Sequence, residues 1–283
     1  LYFLSLGIYQ AYIQVAVYLL LILALVRLLK GEKVSAVYGQ TFRHLLCIAA
    51  AMVVYFIAAN LTQRLTHVAD AGTYNSVGSA LVLSAESLRQ RAVYFAEAML
   101  WWFVLPVGHS RYVQAAINAL LLLSAAFFVI SAAADRKLPA RSVWGLAGVI
   151  IAIPFGMSFI IPLSNTYHYV MMFSFNLTYI CVLVLAELAE QLPGEKKFSR
   201  AVRALCTVLV CVMVYDNCLF ANEISLKKQM ENDATLSAFT RIIDRMEQTE
   251  DYVPGQTPVA ILGLLNNSDI SASRPGFRNE ETG

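Results

Sequence analysis

The sequence predicts an all-α polytopic membrane protein with about six transmembrane helices, an external interfacial helix and a short C-terminal external α/β segment, on three observations. Hydrophobic residues make up 58% of the 283-residue chain and charged residues 14%, with a mean hydropathy of +0.60; one aqueous core could not enclose that much apolar surface. The apolar residues gather into runs long enough to cross roughly 30 Å of hydrocarbon, which takes about 20 residues of helix. The basic residues fall in short clusters between these runs, where they orient helices in a bilayer. A formal charge of +2 gives no support for a nucleic-acid partner.

Six spans are marked by the runs, at 3–26, 45–61, 113–134, 143–163, 169–188 and 202–220. Most are apolar all round, unlike the one-sided stripe of a soluble surface helix. Three connections are basic: Arg27, Lys30, Lys33 and Arg43 after the first span, Arg136, Lys137 and Arg141 after the third, and Lys196, Lys197, Arg200 and Arg203 after the fifth. Lys and Arg are retained in the cytoplasm, so these loops are expected inside, with residue 1 and the exit of the last span outside. Leu1 begins within an apolar run without signal-peptide features, which predicts a piece of a longer protein lacking its N-terminal part. The five cysteines, Cys47, Cys181, Cys206, Cys211 and Cys218, show neither a disulfide framework nor metal-ligand spacing and read as small packing residues.

The transmembrane domain is expected over 1–220 and includes an external loop at 62–112. Within that loop Gly72, Asn75 and Gly78 mark turns, and 84–105 predicts a helix capped by Ser84 with Glu86 in its first turn. Leu88, Ala92, Phe95, Met99 and Phe103 recur at helical spacing, Arg89, Arg91 and Glu97 interrupt the other face, and Trp101 and Trp102 suit the headgroup level. This helix is expected to lie in the plane of the outer surface, with a re-entrant or spanning segment as the alternative. An extracytoplasmic segment follows over 221–283: a helix at 223–249 with Leu236, Phe239, Ile243 and Met246 in one stripe, a turn at 252–255 and a short strand at 258–263.

Phosphate loops, dinucleotide fingerprints, paired-histidine metalloprotease motifs and cysteine zinc sites are absent from the sequence. The groups that could carry chemistry are polar residues near the outer membrane face, where they are costly unless they face protein or a water-filled cavity. In Ser5-Leu6-Gly7-Ile8-Tyr9-Gln10-Ala11-Tyr12, Tyr9 and Gln10 either line a sugar or lipid-phosphate headgroup or serve interhelical hydrogen bonding and aromatic anchoring. Asn165-Thr166-Tyr167-His168-Tyr169 sets a histidine between tyrosines at headgroup level, suited to a phosphate or to no task beyond the interface. Past the second span stand Asn60, Arg64, His67 and Asp70: Arg64 is a forked, permanently charged candidate for an anion and Asp70 a candidate general base, with a solvated juxtamembrane loop as the alternative. Asp216 and Asn217 form a similar, weaker pair.

In their order along the chain, Ser5 through Tyr12, Tyr167-His168-Tyr169-Val170-Met171-Met172, Tyr215-Asp216-Asn217 through Ala221-Asn222, and Pro258-Val259-Ala260-Ile261 resemble the glucosyltransferase family related to the bacteriophage type II O-antigen glucosyltransferases, multi-spanning enzymes of GT-C type. The resemblance implies transfer of a sugar, usually glucose, from a polyprenyl-phosphate carrier to a surface glycan or lipid-linked acceptor on the outer side of the bacterial cytoplasmic membrane. The implied partners are the lipid bilayer, the polyprenyl-phosphate sugar donor and the glycan acceptor. GT-C enzymes normally place an Asp or Glu base or metal ligand in the first external loop, which is expected upstream of Leu1 and leaves Asp70 as a substitute within this chain. Arg64 and His168 are then expected at the phosphate, and Tyr9, Gln10 and Tyr167 along the sugar or groove. A divalent metal is compatible with the resemblance, but the sequence itself points to no cofactor. A polysaccharide transporter, flippase or polymerase would share the helix count, although Gly/Pro-broken helices and mid-bilayer ionisable groups are scarce. A non-catalytic membrane scaffold would instead use the C-terminal tail as a binding module.

Overall fold

The computed structural model describes residues 13–66, 85–106, 110–161, 169–191, 197–250, 252–253 and 257, and every regular element in them is helical. In chain order these are α1 Ile13–Leu29, α2 Val34–Thr66, α3 Ala85–Phe103, α4 Arg111–Asp135, α5 Ala140–Ser158, a 3-10 helix Tyr169–Asn176, α6 Leu177–Glu190 and α7 Lys197–Glu247. Five stretches are long and apolar enough to cross a membrane: in α2, in α4, in α5, in the 3-10 helix with α6, and in α7. Helix α1 is a shorter apolar helix of 17 residues. The protein is therefore all-α and multi-pass, since helices satisfy their own backbone groups in lipid. The expected strand at 258–263 and the beginning of the expected span at 3–26 lie outside the described residues.

Helix α1 is the hub of the bundle. It packs along α5 and also meets α2, α6 and α4, burying Tyr18, Leu21, Ile22, Leu25, Leu28 and Leu29. Glycine brings α5 close to two neighbours, as small residues do at membrane helix contacts. A Cβ on Gly156 would sit 2.3 Å from Leu21 Cδ1 of α1. Nearer the start of α5, the Tyr38 hydroxyl of α2 donates to the Gly145 carbonyl at 2.8 Å, and a Cβ on Gly148 would fall 2.6 Å from Tyr38 Oη. Helix α4 packs on α6.

The connection expected from Arg27 to Arg43 is reduced to a four-residue break between Leu29 and Val34. Gly31, at φ +85, ends α1: its N–H donates to Leu28 O and the Glu32 N–H to Arg27 O, the paired bonds of a Schellman motif. Arg27 donates through Nε and Nη2 to Glu32 Oε2 at 2.9 and 2.6 Å, and through Nη1 to Gln40 at 2.6 Å. That guanidinium holds the Glu32 carboxyl below the usual carboxylate range. With the turn closed so tightly, Val34 and Tyr38 meet the glycines of α5, and the polar stretch to Arg43 is helix rather than loop. The same motif ends α4, with Lys137 at φ 48 in the position that favours glycine.

Other boundaries move for identifiable reasons. Helix α5 stops at Ser158, short of the expected 163, ahead of Pro162, whose ring disfavours helical geometry before it. The fifth span opens as eight residues of 3-10 helix before becoming α-helical at Leu177. The sixth span and the helix expected at 223–249 are one continuous helix, α7, which contains neither glycine nor proline to break it. The chain divides into two compact units, 1–213 and 214–283. In the second, Lys227 and Lys228 approach Glu231 at 3.9 and 3.2 Å, and Leu236, Phe239 and Ile243 of the expected stripe are exposed.

Helix α3 keeps Phe95, Met99 and Phe103 of its expected stripe against the bundle but leaves Leu88 and Ala92 exposed. Leu88 is 51% exposed, whereas Arg91 and Ala98 are buried. The face toward the bundle runs Arg91, Phe95, Ala98, Trp102, with Phe95 stacked on Phe155 at 5.1 Å and Trp102 edge-on to Phe175 at 5.4 Å. Phe95, Met99 and Phe103 of the expected stripe still pack on the bundle, and a guanidinium gains from facing protein or a wet cavity. Trp102 is thus part of the packing, and Trp101 lies under the Arg111 guanidinium at 5.4 Å.

Candidate functional site

Many of the buried polar side chains gather at one end of the helices: Gln14 and Tyr18 near the start of α1, Gln114 and Asn118 near the start of α4, Ser158 at the end of α5, Ser174 in the 3-10 helix, and Thr178 with half-buried Tyr179 at the start of α6; Ser124 in mid-α4, Ser142 at the other end of α5, Arg91 in α3 and Asp216 in α7 are buried outside this group. The three basic connections lie at the opposite ends of the same helices.

Helix-end chemistry explains the layer. The last carbonyls of a helix have no intrahelical donor, and in α3 the N–H groups of Val104 and Leu105 both turn back to Leu100 O. Asn118 of α4 supplies what is missing: Nδ2 donates to Trp102 O at 3.1 Å and to Phe103 O at 3.3 Å. Its Oδ1 accepts from the Tyr179 hydroxyl at 3.0 Å, so one amide ties α3, α4 and α6. The Trp102 indole Nε1 is buried beside the same hydroxyl without reaching hydrogen-bond geometry. Tyr18 and Thr178 hydrogen-bond at 3.1 Å and tie α1 to α6. Ser174 donates to the carbonyl of Met157 in the last turn of α5, and Ser158 back-bonds at 2.6 Å to the carbonyl of Pro154, the residue inside α5 that has no N–H to donate. These bonds make a frame, and the members just named include no carboxylate.

Of the residues expected to carry chemistry, Asn60 and Arg64 lie among the described residues. Arg64 lies in the last turn of α2, about 13 Å along the helix axis beyond Tyr55. Tyr55 itself, with Ile48, Ala51 and Met52, belongs to the apolar cluster around Ile13 of α1 and Phe159 and Ile160 after α5. Arg64 and Asn60 are thus helical and not in the expected loop. Asp70, Tyr9, Gln10, Tyr167 and His168 lie outside the described residues. The chain enters and leaves their segments at Ile13, Thr66, Ile161 and Tyr169, all ends of elements remote from the basic connections.

The sequence reading missed Tyr18, Asn118, Thr178 and Tyr179, and it put Arg91 on the solvated face. A signal for Asn118 was available: Gln114 and Asn118 are one turn apart inside an apolar run, and polar groups on one face of a span mark the bundle interior. Among the described residues no group of three or more His, Cys, Asp or Glu could hold a metal, and all five cysteines are free, with Cys181 and Cys206 buried.

Fold and site together define a multi-pass membrane protein whose helix ends are pinned by a buried polar layer. The family model described as Glucosyl transferase GtrII matches residues 1–179, and the chain belongs to that family. It is accordingly a glycosyltransferase family member embedded in a lipid bilayer. The matched stretch takes in the polar layer and all six sequence-predicted site residues. No curated protein and no solved structure matches the chain.

Proposed function

We propose that the protein moves glucose from a polyprenyl-phosphate carrier to a surface glycan or lipid-linked acceptor, at the extracytoplasmic face of the bacterial cytoplasmic membrane. The observation that carries the reading is the family match over 1–179, a stretch that takes in the polar layer at one end of the helices. The clustering of the three basic connections at the other end favours that end as cytoplasmic. Such a donor keeps its chain in lipid and offers its sugar at the headgroup level, where Tyr9, Gln10 and Tyr167 are read as sugar or groove lining. Transfer breaks the bond from the anomeric carbon to the phosphate oxygen, leaving the electron pair on the phosphate. The acceptor hydroxyl forms the new bond and gives its proton to a carboxylate, either Asp70 or one upstream of Leu1 as in GT-C enzymes. Arg64 and His168 are read as donors to the leaving phosphate.

The test is glucosyl transfer by the full-length protein in lipid nanodiscs, with a panel of polyprenyl-phosphate sugars. Arg64→Ala and His168→Ala are expected to lower the rate roughly ten- to a hundredfold each, the loss of one charge-assisted hydrogen bond. Wild-type rates in both variants would remove these residues from the mechanism. Absence of transfer across the whole panel would overturn the donor class.

A further inference from the structure

We propose that the turn joining α1 to α2 and the turn joining α4 to α5 together bind the phosphate of an anionic phospholipid, in the leaflet at the basic end of the bundle. The site goes beyond sugar transfer and does not rest on it. The two turns are far apart in sequence and neighbours in space. A Cβ on Gly145 would meet Val34 Cγ1 at 3.2 Å, and the Tyr38 hydroxyl donates to the Gly145 carbonyl at 2.8 Å. Lys33 immediately precedes Val34, and Arg141 stands one helical turn before Gly145 on the same face of α5. That contact brings Lys30 and Lys33 of one turn up to Arg136, Lys137 and Arg141 at the other.

Charge and shape both select such a lipid. Arg27 is engaged by Glu32 and Gln40, and in the third basic connection Arg203 lies 2.9 Å from Glu190. The side chains of Lys30, Lys33, Arg136, Lys137 and Arg141 make no ion pair or hydrogen bond among the described residues. The carboxylates of the two turns are Glu32, held by Arg27, and Asp135, exposed and equally unpaired, so an excess of positive charge is left open. Lys137 even occupies a left-handed conformation at φ 48, which costs a side chain that glycine would spare. From Arg141 an exposed face of α5 continues through Trp144, Gly148 and Ile151, with Trp144 78% and Ile151 67% exposed. A phosphate beside Arg141 therefore has its acyl chain laid on Trp144 and Ile151, and the indole stands where headgroup meets hydrocarbon. Orienting the helices requires only that cations stay on one side of the membrane. It does not require two turns to converge around an aromatic face, whereas a basic pocket between helices is what an anionic headgroup recognises.

The experiment places the full-length protein in phosphatidylcholine nanodiscs containing a small fraction of phosphatidylglycerol or phosphatidylcholine spin-labelled high on one acyl chain. Quenching of Trp144 is read as the difference between the protein and its Trp144→Phe variant. The affinity for phosphatidylglycerol over phosphatidylcholine should be roughly tenfold at low salt and should fall as salt rises. Combining Lys30→Gln, Lys33→Gln and Arg141→Gln, all at exposed positions, should bring the ratio to within about twofold of unity. Lys137→Gly is the sharper variant: it should raise the melting temperature in pure phosphatidylcholine by relieving the backbone, and yet lower the preference several-fold. Equal quenching by the two lipids in wild type, or a preference kept by the triple variant, overturns the inference. Lys197→Gln, in the third connection, should lower the preference less than Lys33→Gln does. An equal loss would leave only a diffuse attraction of every basic connection and overturn the inference as well.

Discussion

Replacing Asn118 with Leu keeps the branched outline of a side chain that is 2% exposed and deletes every hydrogen bond it makes. Two terminal carbonyls of α3 and the Tyr179 hydroxyl then lose their partner. In a soluble core each stranded group would cost about 1–3 kcal/mol. Membrane proteins give smaller values, averaging about 0.6 and reaching about 1.7 kcal/mol per interhelical side-chain bond, because the unfolded state in lipid finds partners too. The carbonyls also sit at a helix end, where water is nearer than in mid-bilayer. The membrane figures should therefore govern, and Asn118→Leu should cost about 1–3 kcal/mol in all. Tyr179→Phe, which removes only the bond to Oδ1, should cost about 0.6 kcal/mol.

Unfolding in mixed micelles of detergent and sodium dodecyl sulfate measures both variants and the double mutant. A coupling energy of about 0.6 kcal/mol between the two sites is expected. Freed of Asn118, the end of α3 should also loosen, so glucosyl transfer should fall further than stability alone explains. Asn118→Leu within about 0.3 kcal/mol of wild type, a margin ordinary for independent sites, would refute the assignment of this amide as the clasp of α3.

Gly156→Ala should destabilise by about 1–3 kcal/mol because its Cβ would overlap Leu21 Cδ1, and Leu21→Ala in the same chain should recover part of the loss; additive losses would contradict the close α1–α5 contact. Gly31→Ala should cost about 1 kcal/mol through its left-handed backbone alone, since nothing lies within 4 Å of the new Cβ, whereas Lys137→Gly should gain about 0.5–1 kcal/mol at the equivalent turn. Both follow from the same unfolding curves. For topology, a cysteine placed at Asp251 should react with an impermeant reagent in intact cells and one at Lys197 should not; the opposite pattern would invert the proposed orientation.

Most of the fold was legible because length and apolarity identify a span almost regardless of context. The fourth helix, Arg111–Asp135, contains the run expected at 113–134, with charged residues marking both ends. What could not be read was the edge set by tertiary contact. Polar residues around Gln40 and Arg43 suggested a loop, but Tyr38 reaching Gly145 and Gly148 keeps that stretch helical. The 3-10 opening of the fifth span has no sequence signal in hydropathy, because Tyr169–Asn176 is as apolar as the helix that follows. Among the site residues, Arg64 could be placed near a helix end from its neighbours, yet nothing in its own segment said that Asn118, more than fifty residues later, would organise the polar layer.

The case of α3 shows why a stripe is a weaker guide here than in water. In an aqueous protein Leu88, Ala92, Phe95, Met99 and Phe103 would fix the buried face. In the structure Leu88 stays outside, while Arg91 is buried and the carbonyls of Trp102 and Phe103 are met by Asn118. Arg91 thus shares the bundle side of α3 with Phe95, Met99 and Phe103. It follows that the Asn118 clasp and the rotation of α3 are linked, and a substitution that disturbs the clasp should loosen α3 and lower stability. Changes confined to the connections that carry Asp70 or His168 should alter transfer while leaving the unfolding curve in place.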